Sequence, residues 1–379
     1  MSFQREQSAR SFAQARVTRT CVLVAMLALG ACGRVPEVTV FASDAYPERL
    51  SDWGLLRRSG DQLVLGRGVE PYEINTPLFS DYALKLRTWY LPPGTSMTYR
   101  ADEAFEFPVG SVITKTFFYP LSSGTPQAVA GWHADVGALD LDEHHLVETR
   151  LLVRQAGGWD ALPYVWNGDD AFLNITGSLR PVTLAVEETS AEFTYVVPSR
   201  SECASCHATD HGDGALELIG LKARHLNRSY PGAGVNQLAG WSKAGHLSGL
   251  PDAGNVTRGI VWDDPDAPVE ARARAYLDSN CGHCHSMAGA ADTSGLLLDA
   301  SVTSYRQLGA CKPPIAAGRG TGGRQFSIVP GEPDASILVY RMETDDPATR
   351  MPELGRAIAH REGVSLIREW VASLPGECI

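Results

Sequence analysis

Cys281 and Cys284 stand three positions apart with His285 directly behind them, in Asn280-Cys281-Gly282-His283-Cys284-His285, and the same arrangement recurs at Cys203-Ala204-Ser205-Cys206-His207. Two thiols at this spacing reach the vinyl groups on neighbouring pyrroles of a haem, and a histidine immediately after the second falls under the iron, which is the c-type attachment pattern. Two copies predict two covalently attached haem c groups, with His207 and His285 as iron ligands. The competing use of paired Cys-x-x-Cys motifs is a zinc ribbon, whose pairs stand about 15 to 20 residues apart. Here 74 residues lie between Cys206 and Cys281, and zinc has no need of a histidine fixed after each pair. A redox dithiol would open a helix after a strand in a thioredoxin-like unit, and nothing near either pair reads that way.

What occupies the other side of each iron separates electron carriers from catalysts. For the second haem the candidate is Met351, in the proline-stiffened loop Arg350-Met351-Pro352-Glu353-Leu354-Gly355. A thioether there would raise the reduction potential. Met342 is the alternative, but Ile337, Leu338 and Met342 recur at helical spacing and read as core. No methionine lies between His207 and Cys281. The sixth position of the first haem therefore falls to His225, to His246, to a distant residue, or to nothing; His211 is too near in sequence to swing round.

The elements that must position these groups follow a leader. Arg5, Arg10, Arg16 and Arg19 precede an apolar run from Cys21 to Ala31, too short to span a bilayer, which is the pattern of a secretory signal. It ends Leu29-Gly30-Ala31-Cys32, which resembles a bacterial lipobox, so Cys32 is the expected lipidated first residue of the mature protein. Gly33 stands where an aspartate would favour the inner membrane, so by analogy with enteric lipoproteins the outer membrane is favoured, with the protein facing the periplasm. Export suits c-type haem, and it sets a compartment in which spare cysteines oxidise. With Cys21 lost, Cys32 lipidated and four cysteines on haem, Cys311 and Cys378 remain and are expected to form a disulfide.

The whole chain has 33 basic and 44 acidic residues; without the leader's four arginines and one glutamate, 29 and 43 remain, a net charge of −14. Such a surface favours a redox partner with a basic docking patch and argues against nucleic acid and anionic membrane surfaces; contact with the membrane is assigned to the lipid anchor.

Residues 32–46 show no strong periodicity and read as a tether. Over residues 47–198, short β-branched and aromatic runs recur between turn signals: Leu84 to Leu91, Ser111 to Tyr119, Leu146 to Arg154, Val182 to Glu187 and Phe193 to Val197. They suit a sandwich or similar antiparallel module. A first haem module is expected over 199–267, with helices around Ala215 to Leu226 and Val235 to Leu247. A second is expected over 268–379, where Val269 to Ser279 runs helically into Cys281 and the stripe Val364, Ile367, Trp370, Val371 and Leu374 marks a closing helix that should cross it. The fold expected is thus α+β and multidomain: an N-terminal antiparallel β-rich module followed by two α-helical cytochrome c-type haem modules.

The chain also resembles a family of bacterial dihaem c-type cytochromes known as conserved hypothetical proteins. The likeness is carried by Asn75-Thr76-Pro77-Leu78-Phe79-Ser80-Asp81-Tyr82, Phe107-Pro108-Val109-Gly110, Glu148-Thr149-Arg150-Leu151-Leu152, Tyr195-Val196-Val197-Pro198, Asn236-Gln237-Leu238, Cys311-Lys312-Pro313-Pro314, and Val329-Pro330-Gly331 onward through Met351-Pro352-Glu353-Leu354-Gly355. It covers nearly everything after residue 70. The resemblance implies two covalent haems, a β-rich N-terminal region and export, and it adds a parallel β-helix repeat protein as a candidate partner; it names no reaction. The expected function is periplasmic electron transfer by a lipid-anchored dihaem cytochrome. The rival is a dihaem oxidoreductase, a peroxidase or dehydrogenase subunit, with an open first haem and substrate held near the β-rich module.

Overall fold

Alternation along three long strands builds the centre of the molecule. The computed structural model describes residues 36–129, 138–230, 234–315 and 317–378. Six strands, β1 (Val69–Tyr72), β2 (Leu84–Tyr90), β3 (Val112–Ser122), β4 (His144–Gln155), β5 (Gly158–Asn167) and β6 (Asp170–Leu173), pair antiparallel in the order in which they occur along the chain, and the two-residue strand Thr125–Pro126 pairs with β3 as the seventh of the sheet. A further hairpin joins β7 (Ser178–Val186) to β8 (Thr189–Val197).

One face of the meander presents Leu86, Tyr90, Val112, Phe118, Leu151, Val153, Leu162, Tyr164 and Trp166 to a buried core completed by Leu50, Trp53, Leu55 and Leu63. The polar groups this buries are paired among themselves. Thr88 and Thr114 share a hydroxyl hydrogen bond of 2.6 Å, Thr116 and Thr149 one of 2.8 Å, and Trp53 Nε1 donates to Tyr164 Oη at 2.8 Å, as interior donors and acceptors must be. Of the stretch expected as a tether, Val38, Val40, Phe41 and Tyr46 pack against this same core.

The other face carries two apolar clusters. Toward one end Trp89 and Ile113 meet Phe105, Phe107, Leu218, Leu221, Leu226, Leu238 and Trp241; toward the other, Phe117, Tyr119, Val147 and Val165 meet Val182, Leu184, Tyr195 and Val197 of the hairpin.

These contacts overturn part of the expected architecture. Strand outweighs helix, and two α-helical cytochrome c modules are not evident. Among the described residues, the α-helix of the segment at and after the first Cys-x-x-Cys-His amounts to the single turns Ala204–His207 and Ala223–Leu226 and the seven-residue helix Gln237–Lys243, and apolar residues of this segment go into the cluster on the sheet. The cause is local: Asp210 and Asp213 accept from the backbone N–H of Gly212 and Ala215, side-chain turns that compete with helix. The chain from Glu37 onward is one compact unit.

The C-terminal portion is helical but sparsely so, with α1 (Val269–Leu277), α2 (Ile337–Glu343) and α3 (Arg361–Ser373) sharing one core of Tyr276, Leu277, Leu338, Met342, Ile367 and Trp370. A Cβ on Gly363 would collide with the Tyr276 ring, so only glycine allows α1 and α3 to approach this closely. The Asn75-to-Tyr82 loop ties the sheet to this core: Ser279 Oγ donates to Thr76 O (2.8 Å) and Phe79 N to Asn280 Oδ1 (2.8 Å).

Candidate functional site

Each Cys-x-x-Cys-His run closes one helical turn, with His207 N donating to Cys203 O and His285 N to Cys281 O, both at 2.9 Å. The two histidines are then held alike. His207 Nδ1 lies 2.7 Å from Glu217 O, ten residues on; His285 Nδ1 lies 3.2 Å from Leu296 O, eleven residues on, and 3.3 Å from Ser294 Oγ. An imidazole that donates from Nδ1 to a carbonyl keeps its lone pair on Nε2, the tautomer that second-shell bonds select in metal-ligating histidines. Burial lowers the pKa of both rings to about 4, so both are neutral at pH 7, as ligation requires. The donor set therefore fits two c-type haems: four thiols in two pairs, and two neutral rings each with one nitrogen held.

The two motifs, distant in sequence, lie side by side. Cys206 Sγ, Cys284 Sγ and a ring nitrogen of His283 fall within 4.8 Å of one another. Cys284 Sγ donates to Ser205 O at 3.5 Å and His211 N to Ala288 O at 2.8 Å. The hydrogen bond from Cys284 lowers the pKa of Cys206 and raises that of Cys284. A zinc ion would find three donors here, but that use takes one thiol from each pair and leaves Cys203, Cys281, His207 and His285 without a role. The contact has a consequence for chain made without haem attachment in an oxidising compartment. A thiolate-like Cys206 beside Cys284 is placed for oxidation, so a Cys206–Cys284 cross-link is expected as the main new disulfide. Peptide mapping without reductant checks this; finding Cys203–Cys206 and Cys281–Cys284 closed instead would reject it.

Beside Cys281 a cavity opens between the loop and the helices, lined by Phe79, Tyr276, Met342, Met351, Arg356 and His360 among others. Met351 and Cys281 thus face one space, and so does Met342, which is also part of the helical core. The backbone of Met351 is fixed from both sides: its N–H donates to Arg341 O (2.8 Å) and its carbonyl accepts from Arg356 Nε (3.0 Å). Nη2 of Arg356 also donates to Arg341 O and Thr344 O. His360 forms another wall, stacked on Phe79 with ring centroids 4.2 Å apart, its Nδ1 3.0 Å from Tyr276 Oη and its Nε2 3.5 Å from Glu362. Sequence reasoning missed Phe79, Arg356 and His360 as lining residues. Phe79 sits in a phrase that carries the family resemblance, which was a signal without a role attached; Arg356 and His360 had none.

For the first motif the expected histidines are both engaged. His225 is buried, its Nε2 3.5 Å from Asp278 Oδ2, and Asp278 is gripped by Arg224 at 2.8 and 3.1 Å. His246 packs against Trp89, ring centroids 5.3 Å apart. Cys311 and Cys378 are joined in a disulfide that ties the chain after α3 to the loop at Lys312. Cys32 and its leader lie outside the described residues, among which no helix is long and apolar enough to cross a membrane. No protein-family model, curated protein or solved structure matches the chain, so its family resemblance rests on the phrases quoted above.

Proposed function

We propose that the protein is an exported, lipid-anchored dihaem c-type cytochrome that transfers electrons in the periplasm, c-type by its mode of attachment and not by fold. One observation supports this above the rest: both Cys-x-x-Cys-His turns hold a half-buried, neutral histidine by Nδ1 to a backbone carbonyl, leaving Nε2 for iron. Cys203 and Cys206 would hold one porphyrin and Cys281 and Cys284 the other, with His207, His285 and Met351 as the residues that would bind iron. Haem c, when bound, supplies a one-electron iron couple. The chain's part is to fix the two attachment points beside each other through Cys206 and Cys284 and to exclude water with Phe79, Tyr276 and His360. The acidic surface suits a basic redox partner, and the β-helix repeat protein suggested by the resemblance is a second candidate.

A rival reading has its own support. His225 is committed to Asp278, which takes away one of the two expected ligands and so favours an open sixth position at the first haem and an oxidoreductase. One preparation decides both questions. Protein matured in a host competent in c-type attachment should show the mass of two added haems, and a chain without them ends the proposal. Optical and spin-resonance spectra of the same sample then separate the readings. Two low-spin irons indifferent to cyanide leave a carrier; a high-spin iron that binds cyanide selects the oxidoreductase.

A further inference from the structure

Three adjacent strands set like charges directly opposite one another. Arg87 on β2 is the register partner of Lys115 on β3, and Lys115 is the partner of Arg150 on β4; in the next row of that face Lys85 stands opposite Phe117, and Phe117 opposite Glu148. Cross-strand like charges destabilise a sheet, and these are largely withdrawn from water: Lys85 and Arg87 are 7% and 5% exposed. Asp81 lies within electrostatic reach of Lys85, and among the described residues one carboxylate is in direct contact with the cluster. Glu148, fully buried, accepts from Arg150 at 2.8 and 2.5 Å and from Tyr195 Oη at 2.6 Å.

Among the described residues Lys85, Arg87 and Lys115 make no salt bridge. Lys85 Nζ donates to Ala83 O and Arg87 Nη1 to Lys85 O, and the Phe117 ring lies under Lys85, Lys115 and Arg150 at 5.3, 6.0 and 4.4 Å. A ring face offsets only part of the cost of a buried cation. In a chain of net charge −11 such a cluster is not a drift of composition. It also has an address: Lys115 is within electrostatic reach of Cys206 and His207, and Arg150 of Cys203.

We propose that Arg87, Lys115 and Arg150, with Lys85 behind them, form a carboxylate-binding site beside the first Cys-x-x-Cys-His. Guanidinium forks take carboxylate oxygens in pairs, and an ammonium adds a point charge. Two sources carry this chemistry: the propionates of the haem on Cys203 and Cys206, which rests on the function proposed above, or a free carboxylate substrate, which does not.

The test uses mature protein whose haems have been counted by mass, with Arg87→Gln and Lys115→Met. Both replacements keep most of the apolar stem of the side chain, and either variant that folds and carries both haems is enough for the test. If propionates occupy the site, a variant shifts the reduction equilibrium of one haem at least tenfold toward the oxidised form, 59 mV for a one-electron couple. The other haem is unmoved and the wild type takes up no oxalate in calorimetry. If the ligand is free, the wild type binds oxalate and each variant weakens binding tenfold or more. Unmoved potentials together with no oxalate binding overturn the proposal. Protein that matures without haem would end the haem reading but leave the oxalate titration to decide the site, and no binding there overturns it.

Discussion

Met351→Ala is expected to change the spectrum of one haem only and to lower that centre's reduction potential by on the order of 0.1 V, well within the roughly 0.8 V that axial ligands command. Met351 shares a cavity wall with Cys281, and hydrogen bonds to Arg341 and Arg356 fix its backbone on both sides, so its thioether is presented by a rigid loop. The oxidised form carries the higher charge and gains when the sulfur is replaced by water or a harder ligand, which sets the sign. Met342 is the control. It faces the same cavity but is packed among Leu338, Ile367 and Trp370, so Met342→Leu should leave both spectra as they were. A Met351→Ala protein with both spectra unchanged would remove the assignment, and a change at both haems would show that the loop acts structurally.

Arg356→Ala should cost on the order of 3 kcal/mol of stability and loosen the same loop. The guanidinium is almost wholly buried and donates to the carbonyls of Met351, Arg341 and Thr344 while facing Asp345. Truncation strands the Met351 and Thr344 oxygens, at roughly 1–3 kcal/mol for each acceptor left without a donor; the Arg341 oxygen keeps the Met351 N–H. Denaturant titration reads the loss. Arg356→Lys should recover only part of it, because one ammonium cannot reproduce a planar fork that spans three carbonyls. If Arg356→Ala unfolds at the wild-type midpoint, the clamp is ornamental and Met351 is held by something else.

The strands of the meander were readable because each combines β-branched and aromatic residues with turn signals at its ends; Leu146 to Arg154 falls inside observed β4, and Ser111 to Tyr119 matches β3 in all but its first residue. The same pattern left residues 199–267 misread. Leu218, Leu221, Leu226, Leu238 and Trp241 are spaced much as on helices, yet they are buried as separate footholds on the sheet, and a periodicity count does not weigh the turns that Asp210 and Asp213 close just ahead of them. At the site, the thiols and their histidines were legible because attachment chemistry is local in sequence. The Nδ1 acceptors Glu217 and Leu296 were not, since any backbone carbonyl serves. Nor was the wall of Phe79 and His360, whose members lie 281 positions apart and meet only when the loop reaches α3.

Cys206 and Cys284 touch in the finished molecule, and Cys281 packs against the helical core. Were porphyrins added as proposed above, the attaching enzyme would need both sulfurs of a pair, and in the folded chain Cys206, Cys284 and Cys281 each lie against other parts of the protein. On that proposal both additions would precede closure of the sheet and helices around the two motifs.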